Sequence, residues 1–483
     1  MSDFGILSCG VYLPRRRLDR SAIYAANRWF APGLKGLARG HRAIANWDED
    51  AVTMAVEAAR ACLDGCDRAA VEGLTLASVT HPFADRSNAG IVKEALNLSD
   101  GIAALDAGGS MRAATSALRD ALEGSRTRLC IGSNLRKARP ASEAELIQGD
   151  GAAAILIGRG TPIARLVASH SVTVDFVDHF RASGEIFDYQ WESRWVREEG
   201  HLAILADTVQ ALLAEARVAA GDIDHVVLPI APGGTIKAIA RKLGLKDGAV
   251  VDTLSAEIGD TGVGHSLLLL ASALERAAPG ERILVAGFGQ GADVLLFEAT
   301  EAIADHRPAR PIAACVQDGV VDDNYMRFLF HRGLIGLERG IRAELDQKQP
   351  GTTLYRKRTA VLGLVGSRCT VTGTVQFPPS GISVDPNGRN QGTQEDYPLA
   401  DRTARIVSYT ADALGHSPDP PTYYGTLDFD GGGRLVTEFA EVGPDDVEVG
   451  RAMRMVFRVK AEDEHRHFTK YFWKAVPLNE GGA

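Results

Sequence analysis

Gly149-Asp-Gly-Ala-Ala-Ala-Ile-Leu-Ile-Gly and Gly289-Gln-Gly-Ala-Asp-Val-Leu-Leu-Phe-Glu are the two stretches on which the fold turns. Each opens on a Gly-x-Gly turn and runs into a strand of small and branched apolar residues. Upstream of each, the same order repeats. In the first half an Ala-rich helix over 51–63 leads to an apolar strand over 74–79, and a helix over 112–122 leads to a strand over 128–133. In the second half a helix over 203–219, the turn Gly221-Asp-Ile-Asp and a strand over 225–230 are followed by a helix over 266–278 and a strand over 282–287. Helices alternating with strands predict sheets covered by helices. The repetition predicts two similar halves, residues 1–160 and 161–300, related by a pseudo-twofold axis.

Beyond residue 300 the texture changes. Residues 301–352 carry Pro308, Pro311 and Pro350 and a mixed-charge helix expected near 324–348, so they read as a connector. Residues 353–483 break into short strands at 359–365, 370–377, 423–430, 434–439 and 453–459. The turn signals Asp385-Pro-Asn-Gly and Asp430-Gly-Gly-Gly separate them, which predicts a small β-barrel. The 483 residues carry 62 acidic against 53 basic side chains, a formal net charge of −9. That balance argues against a general nucleic-acid binder, which needs a basic field. Six cysteines in this length do not make a disulfide framework and point to a reducing compartment. With no apolar run of spanning length and no leader pattern at Met1, the expectation is a cytoplasmic protein that does not enter a membrane.

The two-half body resembles the thiolase superfamily, and within it hydroxymethylglutaryl-CoA synthase and ketoacyl synthase III. Gly10-Val-Tyr-Leu-Pro-Arg resembles the opening strand, Asp48-Glu-Asp-Ala-Val-Thr-Met-Ala the start of the first long helix, Gly259-Asp-Thr-Gly a Gly-Asn-Thr motif, and Val285-Ala-Gly-Phe-Gly-Gln-Gly-Ala the glycine-rich loop. Asp178-His-Phe-Arg and Trp191-Glu-Ser-Arg-Trp-Val-Arg look like insertions of the synthase-like subgroup. The C-terminal part resembles an OB-fold acyl-CoA-associated domain whose zinc ribbon survives as Cys369-Thr-Val-Thr-Gly-Thr-Val-Gln-Phe-Pro-Pro. Thr372 stands where a second thiolate is expected, and one cysteine does not make a tetrahedral zinc site, so no metal is expected.

In this family the resemblance implies a nucleophilic cysteine at the start of a buried helix, where the helix N-terminus lowers the thiol pKa. That position falls in Asp106-Ala-Gly-Gly-Ser-Met-Arg on Met111, beside Ser110 and Arg112. Ser110 reads as an N-cap or, with a base nearby, as a nucleophile. The family's glutamate falls on Val79, and its histidine near Pro229-Ile-Ala-Pro232, where there is none. His81 remains as a general base or as a histidine satisfied by backbone. Asp260 reads as an acid–base group or a turn aspartate, and His265 as a structural or catalytic helix residue. Gly287, Gly289 and Gly291 bring backbone close to a substrate or to a neighbour. The basic runs 15–17 and Arg136-Lys-Ala-Arg139 read as contacts for CoA phosphates or as solvated faces.

The resemblance implies a CoA-linked enzyme and a homodimer, with CoA and a small acyl or β-keto molecule as partners. With the cysteine position lost, the expected reaction is a CoA-dependent retro-Claisen cleavage of a β-keto substrate. A retro-aldolase acting on a β-hydroxyacyl-CoA and a non-catalytic acyl-binding scaffold are the alternatives.

Overall fold

In the computed structural model, residues 3–230, 234–344, 351–388 and 390–478 are described. They form two compact units. The first comprises residues up to 46, then 50–90 and 99–328; the second comprises 47–49, 91–98 and 329 onward.

The first unit is built on one nine-stranded sheet that displays the duplication. Its strands are β1 (Phe4–Tyr12), β2 (Gly73–Ala77), β3 (Ala103–Ala107), β4 (Arg128–Asn134), β5 (Gly151–Arg159), β6 (Ala164–Thr173), β7 (His225–Val227), β8 (Arg282–Phe288) and β9 (Gly291–Ala299). The order is β7-β8-β9-β6-β1-β5-β4-β2-β3. From the centre outward both halves read alike. β1 pairs antiparallel with β5, β5 antiparallel with β4, and β4 parallel with β2. On the other side β6 pairs antiparallel with β9, β9 antiparallel with β8, and β8 parallel with β7. The halves join where β1 meets β6 at Ile6 and Ala164. The two quoted Gly-x-Gly stretches become β5 and β9, the strands that close each half.

Four helices occupy equivalent places: α1 (Ala51–Cys62) before β2, α2 (Ala113–Glu123) before β4, α3 (Ala206–Ala216) before β7 and α4 (His265–Leu274) before β8. Every residue of α4 is buried, its His265, Ser266 and Ser272 along with its leucines and alanines, as expected of a helix at the core of a large unit. α1 begins in a capping box, with Asp50 accepting from the N–H groups of Val52 and Thr53 while the Thr53 hydroxyl accepts from the Asp50 N–H. The expected helix over 203–219 is shorter and is preceded by a π-helix, Val196–Leu205.

The second unit holds a three-stranded sheet and a five-stranded sheet. β10 (Val365–Cys369) lies between β11 (Val375–Gln376) and β12 (Gln394–Pro398). The larger sheet, β15-β14-β13-β16-β17, is made of β13 (Ala404–Asp412), β14 (Thr422–Phe429), β15 (Arg434–Glu438), β16 (Ala452–Asp463) and β17 (Phe468–Pro477). Trp473 is buried at the centre of this unit, donating its indole N–H to the Leu362 carbonyl at 2.7 Å. A charge network is buried with it. Arg458 meets Glu441 at 2.5 Å and Glu49 at 3.2 Å, and Lys474 meets Asp48 and Glu438, each at 3.0 Å, with its ammonium 4.2 Å from the Trp47 ring centroid.

Two expectations fail in this region. The stretch 359–365 is not a strand: residues Arg358–Val361 form a short helix and the strand starts at Val365. The mixed-charge helix ends at His331, because Gly333 and Gly340 follow with positive φ of 65° and 67°; residues 345–350 of it lie outside the described residues. At the ribbon position the Cys369 thiol lies 3.2 Å from the Thr393 hydroxyl, and hydrogen bonds from Thr372 and Thr393 pull it down to about 6. Thr372 donates to Thr374 at 3.0 Å, and Thr374 to Asp385 at 3.1 Å. Hydroxyl contacts thus tie the 369–374 turn to Asp385 and Thr393. Among the described residues no group of three or more His, Cys, Asp or Glu side chains is placed to hold a metal ion. None of the described helices is long and apolar enough to cross a membrane.

Candidate active site

The N-terminus of α2 is held against the β8–β9 hairpin by a dense polar cluster. The Gly289 carbonyl accepts from the Ser110 hydroxyl at 2.7 Å and from the Arg112 guanidinium at 3.0 Å. Arg112 also donates to Asp293 at 2.8 Å and to Thr173 at 2.7 Å. Asp293, fully buried, accepts from Ser116 and Ser171, both at 2.5 Å. The Ser110 hydroxyl therefore spends its proton on a carbonyl, and its oxygen accepts from the Arg112 N–H at 3.3 Å.

The glycines explain how the hairpin comes so close. A Cβ on Gly289 would lie 2.7 Å from Ser110 Oγ and 3.0 Å from the Met111 nitrogen; one on Gly287 would lie 2.1 Å from Thr115 Oγ1; one on Gly291 would strike the Val172 carbonyl at 2.0 Å. What the three glycines admit is neighbouring protein. Gln290, between two of them, has φ of 48°, the left-handed region that non-glycine residues seldom occupy.

Met111 is half-buried and packs on the core. Its backbone N–H, and that of Gln290, take no hydrogen-bond partner among the described residues. A free N–H at the positive end of an eleven-residue helix is suited to hold a carbonyl oxygen that gains negative charge.

The turn after β2 forms a second side. Asn134, fully buried at the end of β4, accepts from the Val79 N–H at 3.1 Å and the Ser78 hydroxyl at 3.0 Å. His81 follows, its ring 4.0 Å from where a Cβ on Gly108 would sit, so it faces the loop entering α2. Its Nε2 is buried without a partner, and burial holds its pKa below the usual histidine range against the opposing pull of Asp106. His81 is therefore a neutral imidazole at pH 7.

Asp260 and His265 work locally. Asp260 caps its own turn, accepting from the Gly262 N–H at 2.9 Å. His265 is buried against Thr261, with Nδ1 3.1 Å from the Thr261 hydroxyl, and burial lowers its pKa. Of the stretch Pro229-Ile-Ala-Pro232, Ala231 and Pro232 lie outside the described residues.

Sequence reasoning noticed the insertion after β6 without reading it as part of the site. Asp178 pairs with His179 at 3.0 Å. Arg181 donates to the Val79 carbonyl. Arg136 and Asp188 form a buried ion pair at 2.7 Å, so Arg136 is committed to the protein. His201, on the π-helix, lies edge-on to Phe288 with ring centroids 4.9 Å apart, and burial lowers it to about 4. The excess of Asp, His and Arg in 178–201 was the available signal. A cavity of about 490 Å³ opens between this insertion and the segment 137–148.

Comparison with known proteins now bears on this geometry. Residues 213–295 match the family model "3-Oxoacyl-[acyl-carrier-protein (ACP)] synthase III C terminal", and residues 397–458 match "ChsH2, C-terminal OB-fold domain". The hydroxymethylglutaryl-CoA synthase of Methanosarcina mazei is 30% identical over 349 residues, 69% of this chain and 99% of the relative. The chain belongs to the hydroxymethylglutaryl-CoA synthase family. The synthase of Methanopyrus kandleri is likewise 30% identical, over 64% of this chain and 91% of the relative. In structure the chain is similar to an HMG-CoA synthase complexed with CoA, with a TM-score of 0.60 at 18% identity over 72% of this chain and 95% of that one. It is similar also to MvaS in complex with 3-hydroxy-3-methylglutaryl coenzyme A, with a TM-score of 0.57 at 18% identity over 68% and 91%. The body is thus a thiolase-superfamily core, and the second unit carries an OB-fold domain.

The family overturns the expected reaction. Its members are synthases, so cysteine-free retro-Claisen cleavage is withdrawn, and the retro-aldolase and scaffold alternatives go with it. The error has a physical cause. Bond making and bond breaking beside a carbonyl use the same oxyanion and proton-transfer groups, so the direction could not be read from which side chains are present.

Proposed function

We propose that the chain condenses CoA thioesters in the manner of a hydroxymethylglutaryl-CoA synthase, with CoA as the carrier of its substrate. The carrying observation is the unpaired Met111 N–H at the start of α2, in a family of synthases. The thioester carbonyl is held there while His81, neutral and facing the same loop, takes a proton from the carbon beside it. The resulting enolate adds to the acceptor carbonyl, forming the C–C bond, and the acceptor oxygen takes up a proton. Methionine has no proton to lose and forms no stable thioester, so the donor reacts while still on CoA. Ser110, Arg112 and the glycines 287, 289 and 291 position the hairpin, and Asp260 and His265 support the turn between β7 and α4.

The test is incubation with acetyl-CoA and acetoacetyl-CoA, with products read by mass spectrometry. A condensed thioester, with no acyl group on the intact protein, is expected. Absence of any condensed product across a series of ketone acceptors, or an acyl adduct on the wild-type chain, would overturn the reading.

A homodimer is part of the same proposal. β3 is the edge of the large sheet, its sequence is Ala-Ala-Leu-Asp-Ala, and Leu105 is 61% exposed. An open apolar edge is a template for a second strand, and Leu105→Glu should shift the mass seen by light scattering to that of a monomer. A cytoplasmic location is supported by the sparse cysteines, none of them bridged among the described residues.

A further inference from the structure

The cavity beside the insertion has an unusual lining for a chain of net negative charge. Phe180, Phe187 and Tyr189 supply its apolar wall, and Lys137, Arg139 and Arg181 its cations. Glu185 and Asp188 also line it, but Asp188 is already neutralised by Arg136, whose Nε and Nη2 lie 3.0 and 2.7 Å away. Arg139 and Arg181 therefore outnumber the one remaining carboxylate, Glu185. The Arg139 guanidinium lies 4.7 Å from the Phe187 ring centroid, which holds its planar fork in place.

Arg181 connects this cavity to the reaction turn. It lines the cavity and donates to the carbonyl of Val79, two residues before His81. Its distance to Asp188 is 3.8 Å, beyond hydrogen-bond reach, so donors of the guanidinium are left for a ligand. Two forked cations in one cavity lining match an oxyanion on an otherwise apolar body.

We propose that the cavity receives the acyl end of a CoA thioester bearing a free carboxylate, bound by Arg181 and Arg139, so that the substrate is a dicarboxylic acyl-CoA. This rests on the CoA reading above. Calorimetric titration with succinyl-CoA and with butyryl-CoA, which share four acyl carbons and the whole of CoA, separates the two claims. Because the nucleotide phosphates are common to both ligands, any difference reports the carboxylate.

Succinyl-CoA is expected to bind at least about tenfold more tightly, the value of one charge-assisted hydrogen bond. The preference should shrink with added salt and collapse toward unity in Arg181→Gln, and in Arg139→Gln should Arg181→Gln not fold. Equal binding of the two thioesters overturns the dicarboxylate proposal and leaves the CoA reading standing. Failure of both to bind overturns the CoA reading and the proposal with it.

Discussion

Asp293→Ala should be among the most destabilising single changes in the first unit. The carboxylate is completely buried in β9, and it accepts from Arg112 at 2.8 Å, Ser116 and Ser171 at 2.5 Å, and Thr115 at 3.3 Å. Arg119 lies 3.6 Å away. Removing the acid leaves the Arg112 guanidinium, only 12% exposed, without its counter-charge. Breaking a buried pair from one side costs about 3–5 kcal/mol. Asp293→Asn keeps the shape, and the serine hydroxyls can turn to meet the new amide, so it should cost less, about 1.5–3 kcal/mol for charge-assisted bonds made neutral. Urea denaturation followed by tryptophan fluorescence measures both. Because Arg112 also holds the Gly289 carbonyl, the alanine variant should loosen the hairpin and lower the condensation rate as well. A loss below about 1 kcal/mol for Asp293→Ala, the level of an ordinary substitution, would refute the view that this node anchors the site.

Met111→Cys should place a thiol at the free end of α2, where the helix lowers its pKa; acetyl-CoA should then leave one acetyl group on the intact protein, which wild type does not carry. Acidification should destabilise the first unit through His201. Its folded pKa is about 4 against about 6.5 unfolded, so the unfolded chain binds more protons between these values. Stability is full above about pH 6.5 and falls by up to about 3 kcal/mol as pH drops to 4; His201→Gln should flatten that part of the urea-midpoint profile, and an unchanged slope would dismiss the assignment. Arg458→Met should cost the second unit about 3–5 kcal/mol by stranding buried carboxylates, visible as a lowered melting transition in calorimetry.

The duplication was legible because each half closes with a Gly-x-Gly turn running into an apolar strand, and both strands, β5 and β9, lie in the interior of the sheet. Strand edges in the C-terminal part were less so. Residues 359–365 carry the branched apolar residues of a strand, yet Arg358–Val361 coil into a helix, and β17, which brings Trp473 to the core, went unread. At the candidate site, the start of α2 could be located because a helix start is local in sequence, and the structure brings Gly287, Gly289 and Gly291 against it. The contribution of 178–201 was not legible, because Arg181 acquires its meaning only by reaching Val79, about a hundred residues earlier in the chain. Asp260 reads from sequence as an acid–base group or a turn aspartate, and its bond from the Gly262 N–H is the turn form; Ser110 reads as a cap or a nucleophile, and its bond to the Gly289 carbonyl, 179 residues away, could be seen only in three dimensions.

The second unit is not one continuous stretch of chain: it owns residues 47–49 and 91–98 as well as the OB-fold strands. Separability therefore cannot be assumed from the order of domains along the gene. A chain cut after Phe328 would leave Asp48 and Glu49 on one piece and Arg458 and Lys474 on the other, each with charges that folding has taken out of water. Neither piece should be a self-sufficient protein. The two pieces should be recovered together, when made together, far more readily than either alone, and the fusion keeps each pair of charges in equal number.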